Sequence, residues 1–126
     1  MDTEALYKSD PALKILGIQL ISIGSGRAEM TMTVTPEMNN AYGICHGGYI
    51  FTLADSAFAY ACNSYDFDAV AQTCTIDYMR PGKTGSLLTA VAEQKSQGRL
   101  TGLYDITISD EDQKIIAFFR GKSFRV

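Results

Sequence analysis

Three features of the chain predict an α+β fold in which an antiparallel sheet curls around one central helix. The segment from Gly47 to about Asn63 is apolar all the way round and long enough to be a buried helix. Two strand patterns precede it and four follow it, separated by glycine, proline and acidic turns. That order is not a β-α-β alternation, so the strands must pair antiparallel and lay one face on the helix. With 126 residues, 46% of them hydrophobic, the chain suits one domain, residues 1–126, around a single core.

Each element has a local cause. Asp10-Pro11 reads as an N-cap followed by proline at the first helical position, which opens a short helix through Leu16 that Gly17 stops. Ile18, Leu20 and Ile21 begin a strand that turns at Gly24-Ser25-Gly26. From Arg27 to Val34 the chain alternates, with Ala28, Met30, Met32 and Val34 on one face, the pattern of a half-buried strand. Pro36 and Asn39-Asn40 break it into a loop that leads to the long helix. Four strands then fall at Val70–Met79, Leu87–Gln97, Leu100–Ser109 and Lys114–Arg125.

Charge and cysteine content narrow the function classes. The net charge of -3 does not favour a nucleic-acid partner. Residues 1–79 hold three basic and nine acidic side chains, whereas residues 80–126 hold eight basic and five acidic. A late-chain basic bias of this kind suits an anionic group on a small ligand, or simply a solvated face. Cys45, Cys62 and Cys74 are odd in number and lack CxxC spacing, which argues against a disulfide framework and a zinc site. Met1-Asp2-Thr3-Glu4 lacks the basic and apolar regions of a signal peptide, and no stretch has the length of a membrane span. The expectation is a cytoplasmic protein that uses no metal.

Asp55 stands out within the long helix. The positions three and four residues away hold Phe51, Thr52, Phe58 and Ala59, so no local cation compensates the carboxylate. A carboxylate in such a setting must find a partner, reach water or shift its pKa upward. The alternative is a structural Asp satisfied by backbone amides. Gly47 and Gly48 open the same helix and leave first-turn N–H groups at the positive end of its dipole, where a developing oxyanion can be held. The same glycines also permit tight packing on the sheet. Gly47 and Asp55 are eight residues apart, about 12 Å along one helix axis. One carbonyl cannot touch both groups of a single helix, so joint action requires two copies of it and hence a homodimer.

The run Asn40-x-x-Gly43-x-x-His46-Gly47-Gly48, then Leu53-Ala54-Asp55, then Asp77-Tyr78-Met79-Arg80-Pro81-Gly82, resembles the hotdog-fold acyl-CoA thioesterases. The phenylacetate-pathway (PaaI-type) subgroup is the nearest likeness, which extends through Phe58–Ser64, Gly102–Ile106 and Phe119–Ser123. The resemblance implies a hotdog: a curved six-stranded antiparallel sheet wrapped around one long central helix. It also implies hydrolysis of acyl-CoA, with aryl-acyl groups favoured, in a homodimer that pairs into a dimer of dimers, without a cofactor.

By the same resemblance, the Gly47 N–H polarises the thioester carbonyl, with Gly48 beside it. Asp55 of the partner subunit is general base or nucleophile, Asn40 orients the water or thioester, and His46 shapes the turn. Some relatives add a hydroxyl from the strand after the helix; Ala71 stands at that place here, with Thr73 two residues on as a weak substitute on the same face. Arg80, Lys83, Arg120 and Lys122 are the candidates for the CoA nucleotide, and Phe58 and Tyr60 for an acyl pocket or the core. Three rival readings are an activated thiol at Cys45, a hotdog hydratase or dehydratase pairing His46 with Asp55, and a non-catalytic acyl-CoA binding protein.

Overall fold

A computed structural model describes residues 2–126. The first strands are β1 (Gln19–Gly24) and β2 (Arg27–Thr33), followed by the long helix, here α3 (Gly47–Cys62). After it come β3 (Ala69–Tyr78), β4 (Leu87–Gln97), β5 (Thr101–Ser109) and β6 (Ile115–Arg125). All six strands form one antiparallel sheet in the order β1-β2-β4-β5-β6-β3. β3 follows α3 in the chain yet lies at the far edge beside β6, so the helix connection crosses the sheet from β2 to the opposite border. The sheet thereby wraps α3, which meets strands from both sides.

The two short N-terminal helices are α1 (Thr3–Lys8) and α2 (Pro11–Leu16). α1 is an element the pattern reading passed over, although Asp2 caps it through a bond from the Ala5 amide and Glu4 and Lys8 suit its two ends. α2 begins and ends where expected, with Gly17 left-handed at its C-cap. Asp10 holds the N-cap position but its side chain does not cap the helix. Its carboxylate accepts instead from the Tyr60 hydroxyl at 3.2 Å, a tie between the N-terminal segment and α3.

Packing explains which strand residues are small. α3 buries Ile50, Leu53, Ala54, Ala57, Phe58, Tyr60, Ala61 and Cys62. Beneath it lie Ala28 and Met30 of β2, Ala90 and Ala92 of β4, and Ile106 of β5. Gly121 of β6 is required: a Cβ there would stand 2.7 Å from the Phe58 ring. Phe58 also packs on Tyr104 and Phe119, at ring-centroid distances of 5.7 and 6.0 Å. Phe58 and Tyr60 are therefore core residues, and the acyl-pocket reading of them is corrected.

One face of α3 is left without a sheet. Gly48, Thr52, Asp55, Ser56 and Ala59 recur at helical spacing and stay half-buried or exposed. β3 is an edge strand of ten residues whose outer backbone groups meet no other strand among the described residues.

Candidate active site

The turn that leads into α3 is built from backbone bonds. Asn40 N–H donates to the Ile44 carbonyl at 2.8 Å, and Gly43, at φ 78°, closes the loop by donating to the Asn40 carbonyl at 3.0 Å. Cys45 N–H reaches the Gly82 carbonyl and His46 N–H the Met38 carbonyl, at 2.8 and 2.7 Å. The helix start is thus pinned to the Pro81-Gly82 turn on one side and to the loop after β2 on the other. His46 occupies the N-cap without a side-chain cap bond. Its ring borders a shallow depression with Leu16, Gly48, Tyr49 and Thr52.

Asn40, Gly47 and Arg80 meet in one cleft of about 480 Å³, walled by Ile44, Ile50, Tyr78, Met79 and Pro81. Asn40 Oδ1 accepts from the Tyr42 and Ile44 amides at 2.9 and 3.4 Å. The carbonyl side of that amide therefore serves its own loop, and the Nδ2 hydrogens are the side available to a ligand. Tyr78 carried no assigned role in the sequence reading, yet its hydroxyl donates to the Gly47 carbonyl at 2.8 Å.

Asp55 lies two turns further along α3, half-buried on the uncovered face. Burial pushes its carboxyl above the usual carboxylate range. Among the described residues its hydrogen-bond partner is the Cys74 thiol, with Sγ 4.0 Å from Oδ1. Burial and the charge of Asp55 together raise the Cys74 thiol.

Two assignments require correction. Thr73 does not share a face with Ala71. The register shifts between these residues, so Ala71 stands opposite the buried Ser123 and Thr73 opposite the exposed Lys122. The extra residue, Gln72, resets the alternation, as a β-bulge does. Cys74, opposite Gly121, takes the core-facing place beside Asp55.

The four basic candidates also do not form one cluster. Arg80 and Lys83 flank a hollow shared with Asp110, Glu111 and Asp112, and Arg80 Nη1 donates to the Ile115 carbonyl at 2.9 Å. Arg120 and Lys122 stand on the outer face of the sheet. There Arg120 grips Asp105 through two bonds of 2.6 and 2.9 Å, which hold the Asp105 carboxyl below its ordinary value.

The activated-thiol reading of Cys45 is not supported by its setting. It is buried, and burial raises its thiol, the opposite of activation. Cys62 is pushed up to about 12, chiefly by burial. Among the described residues no three His, Cys, Asp or Glu side chains converge as a metal cluster would require. Among them, too, no helix is long and apolar enough to cross a membrane.

Comparison with known proteins agrees with this geometry. The acyl-coenzyme A thioesterase PaaI of Escherichia coli is 53% identical over 99% of this chain and 89% of its own. The solved structure of E. coli PaaI superposes with a TM-score of 0.98, covering 99% of this chain and 91% of that one. A Streptococcus mutans protein solved bound to acetyl CoA is 31% identical, with a TM-score of 0.84 over 86% of this chain and 88% of its own. Residues 42–117, from the loop before α3 into β6, match the Thioesterase superfamily, and the chain belongs to that family.

Proposed function

We propose that this chain, a thioesterase by family, hydrolyses acyl-CoA thioesters to the free acid and CoA, with aryl-acyl groups of the phenylacetyl type as its substrates. The PaaI relative is an acyl-coenzyme A thioesterase and the Streptococcus mutans neighbour was solved bound to acetyl CoA, which supports the CoA thioester. A single observation carries the arrangement of the site. Gly47 and Asp55 sit on one unbroken helix, eight residues and about 12 Å apart, with Asp55 on the face its own sheet leaves open. The reading is a homodimer in which Gly47 of one chain faces Asp55 of the partner subunit, with β3 edges joined, and a dimer of dimers beyond it. It takes neither metal nor redox cofactor and is placed in the cytoplasm.

The steps follow from the groups. The thioester carbonyl accepts from the Gly47 N–H at the positive end of α3, and Asn40 Nδ2 orients the water or the thioester. Asp55, raised by burial and so a stronger base than an ordinary carboxylate, removes a proton from water as oxygen attacks the carbonyl carbon. The tetrahedral oxyanion collapses, the C–S bond breaks, and the CoA thiolate takes up the proton. Direct attack by the carboxylate through an anhydride is the other course open to Asp55. His46 shapes the turn. Arg80 borders the cleft and Lys83 the adjoining hollow, and of the four basic candidates these two are assigned to the nucleotide phosphates.

A panel of aryl, short-chain and long-chain acyl-CoAs, followed by release of free thiol, tests this reading. Aryl-acyl esters are expected to give the highest kcat/KM. Tight binding without turnover of any ester would instead make the chain an acyl-CoA binding protein.

A further inference from the structure

The first turn of α3 must be rigid to act on a carbonyl, yet it is made of residues that resist ordering. Gly47 and Gly48 have the most backbone freedom to lose. The N-cap residue His46 contributes no side-chain bond, so the usual lock on a helix start is missing. A donor amide lowers a barrier only when it already points to where charge will develop.

Tyr78 meets this need from outside the helix. Its hydroxyl donates to the Gly47 carbonyl at 2.8 Å. Its ring fills the space in front of the same residue: a Cβ on Gly47 would lie 3.0 Å from both Cζ and the hydroxyl oxygen. The end of β3 that delivers the phenol is itself held. The Met79 and Arg80 amides both donate to the Ile116 carbonyl, at 2.8 and 3.2 Å. The Arg80 guanidinium secures the neighbouring Ile115 carbonyl. Tyr78 also walls the cleft that holds Asn40 and Gly47.

We propose that Tyr78 is a positioning residue for thioester hydrolysis, fixing the Gly47 backbone from its carbonyl and Cα sides so that its N–H points into the cleft. The peptide plane that carries the Gly47 N–H is held at its other end, where the His46 carbonyl accepts from the Tyr49 amide at 3.0 Å, and Tyr78 limits rotation between that plane and the next. Burial raises the phenol above its ordinary value, which keeps it a neutral donor throughout the working pH range. The proposal rests on the reading of Gly47 as the oxyanion donor.

Tyr78→Phe keeps the ring and removes the hydroxyl. The expected loss is about three- to tenfold in kcat, the effect of one neutral hydrogen bond, with KM within about twofold. A purely structural role would lower Tm and leave the kcat of the folded enzyme unchanged. Infrared difference spectra of a bound non-hydrolysable ketone analogue of phenylacetyl-CoA provide the independent readout. The carbonyl stretch is expected to move to lower frequency in the parent and to move less in Tyr78→Phe. No displacement in the parent would overturn the Gly47 reading and this proposal with it. An equal displacement in both proteins, or an unchanged kcat in Tyr78→Phe, would overturn the role of Tyr78 alone.

Discussion

The two positions on α3 proposed to act on the thioester sit in opposite kinds of environment. At Gly47 the proposed reacting group is a backbone amide, and several contacts hold it: the phenol of Tyr78, the bond from Cys45 to Gly82 and the bond from His46 to Met38. At Asp55 the proposed reacting group is a half-buried charge, and a thiol 4.0 Å away is its hydrogen-bond partner among the described residues. The first position is stabilised and held still. The second is left poorly solvated, which costs stability and makes the carboxylate a stronger base. In the proposed reaction a fixed dipole and a destabilised charge are complementary parts, and the helix keeps them too far apart to meet within one chain.

The largest effect is expected at the charge. Asp55→Asn is expected to lower kcat by about 10² or more, read as thiol release at saturating acyl-CoA. The same change is expected not to lower Tm at pH 7. The raised folded pKa means that the native state binds the proton more tightly than the unfolded chain does. Stability from this group therefore falls as pH rises from the ordinary carboxylate value through the folded value. The advantage of Asp55→Asn should shrink as pH is lowered through that window; an advantage that grew instead would assign the wrong sign to the burial of Asp55.

Next in size is the sheet-facing side of α3, where the role is packing and not chemistry. Gly121→Ala places a methyl against the Phe58 ring and is expected to cost about 1–3 kcal/mol in denaturant unfolding. The kcat of the folded fraction should stay within about twofold of the parent. A large fall in kcat at unchanged stability would mean that this side of the helix takes part in the chemistry after all.

A smaller effect is the position of the acid limb of kcat/KM. With Asp55 raised by burial, its midpoint should lie above the value of about 4 usual for a carboxylate. A midpoint at or below 4 would mean that Asp55 is better solvated in the working enzyme than on the open face of one chain. The smallest effects belong to the basic side chains. Lys83→Ala is expected to raise KM for acyl-CoA modestly at low salt with kcat unchanged, and Lys122→Ala, on the outer sheet face, to change neither.

The long helix and Asp55 were legible because an apolar run with one uncompensated charge needs only local reading. The strands were legible by alternation, and β4 begins and ends where expected. Alternation failed at Gln72, because a period-two reading cannot detect the inserted residue that moves Thr73 to the outer face and Cys74 to the inner. Tyr78 stood in the quoted Arg-Pro-Gly run, but its bond to Gly47 spans 31 positions and depends on β3 crossing to the far edge. The Arg120–Asp105 pair was hidden for the same reason, since the register of β5 on β6 creates it. Asp10 was placed correctly as the residue before the helix. Its side chain was claimed by Tyr60, a tertiary partner that no local capping rule contains.

In the proposed dimer each site takes its amide from one chain and its carboxylate from another, and subunit exchange tests this most directly. A Gly47 variant with a displaced first turn and Asp55→Asn are each expected to be nearly inactive alone. Mixed and allowed to exchange, they form heterodimers in which one site carries both lesions and the other carries neither. Thiol release from phenylacetyl-CoA is then expected to recover toward one working site per heterodimer. Heterodimers that form, as shown by native mass spectrometry, yet remain as inactive as their parents would contradict the shared site.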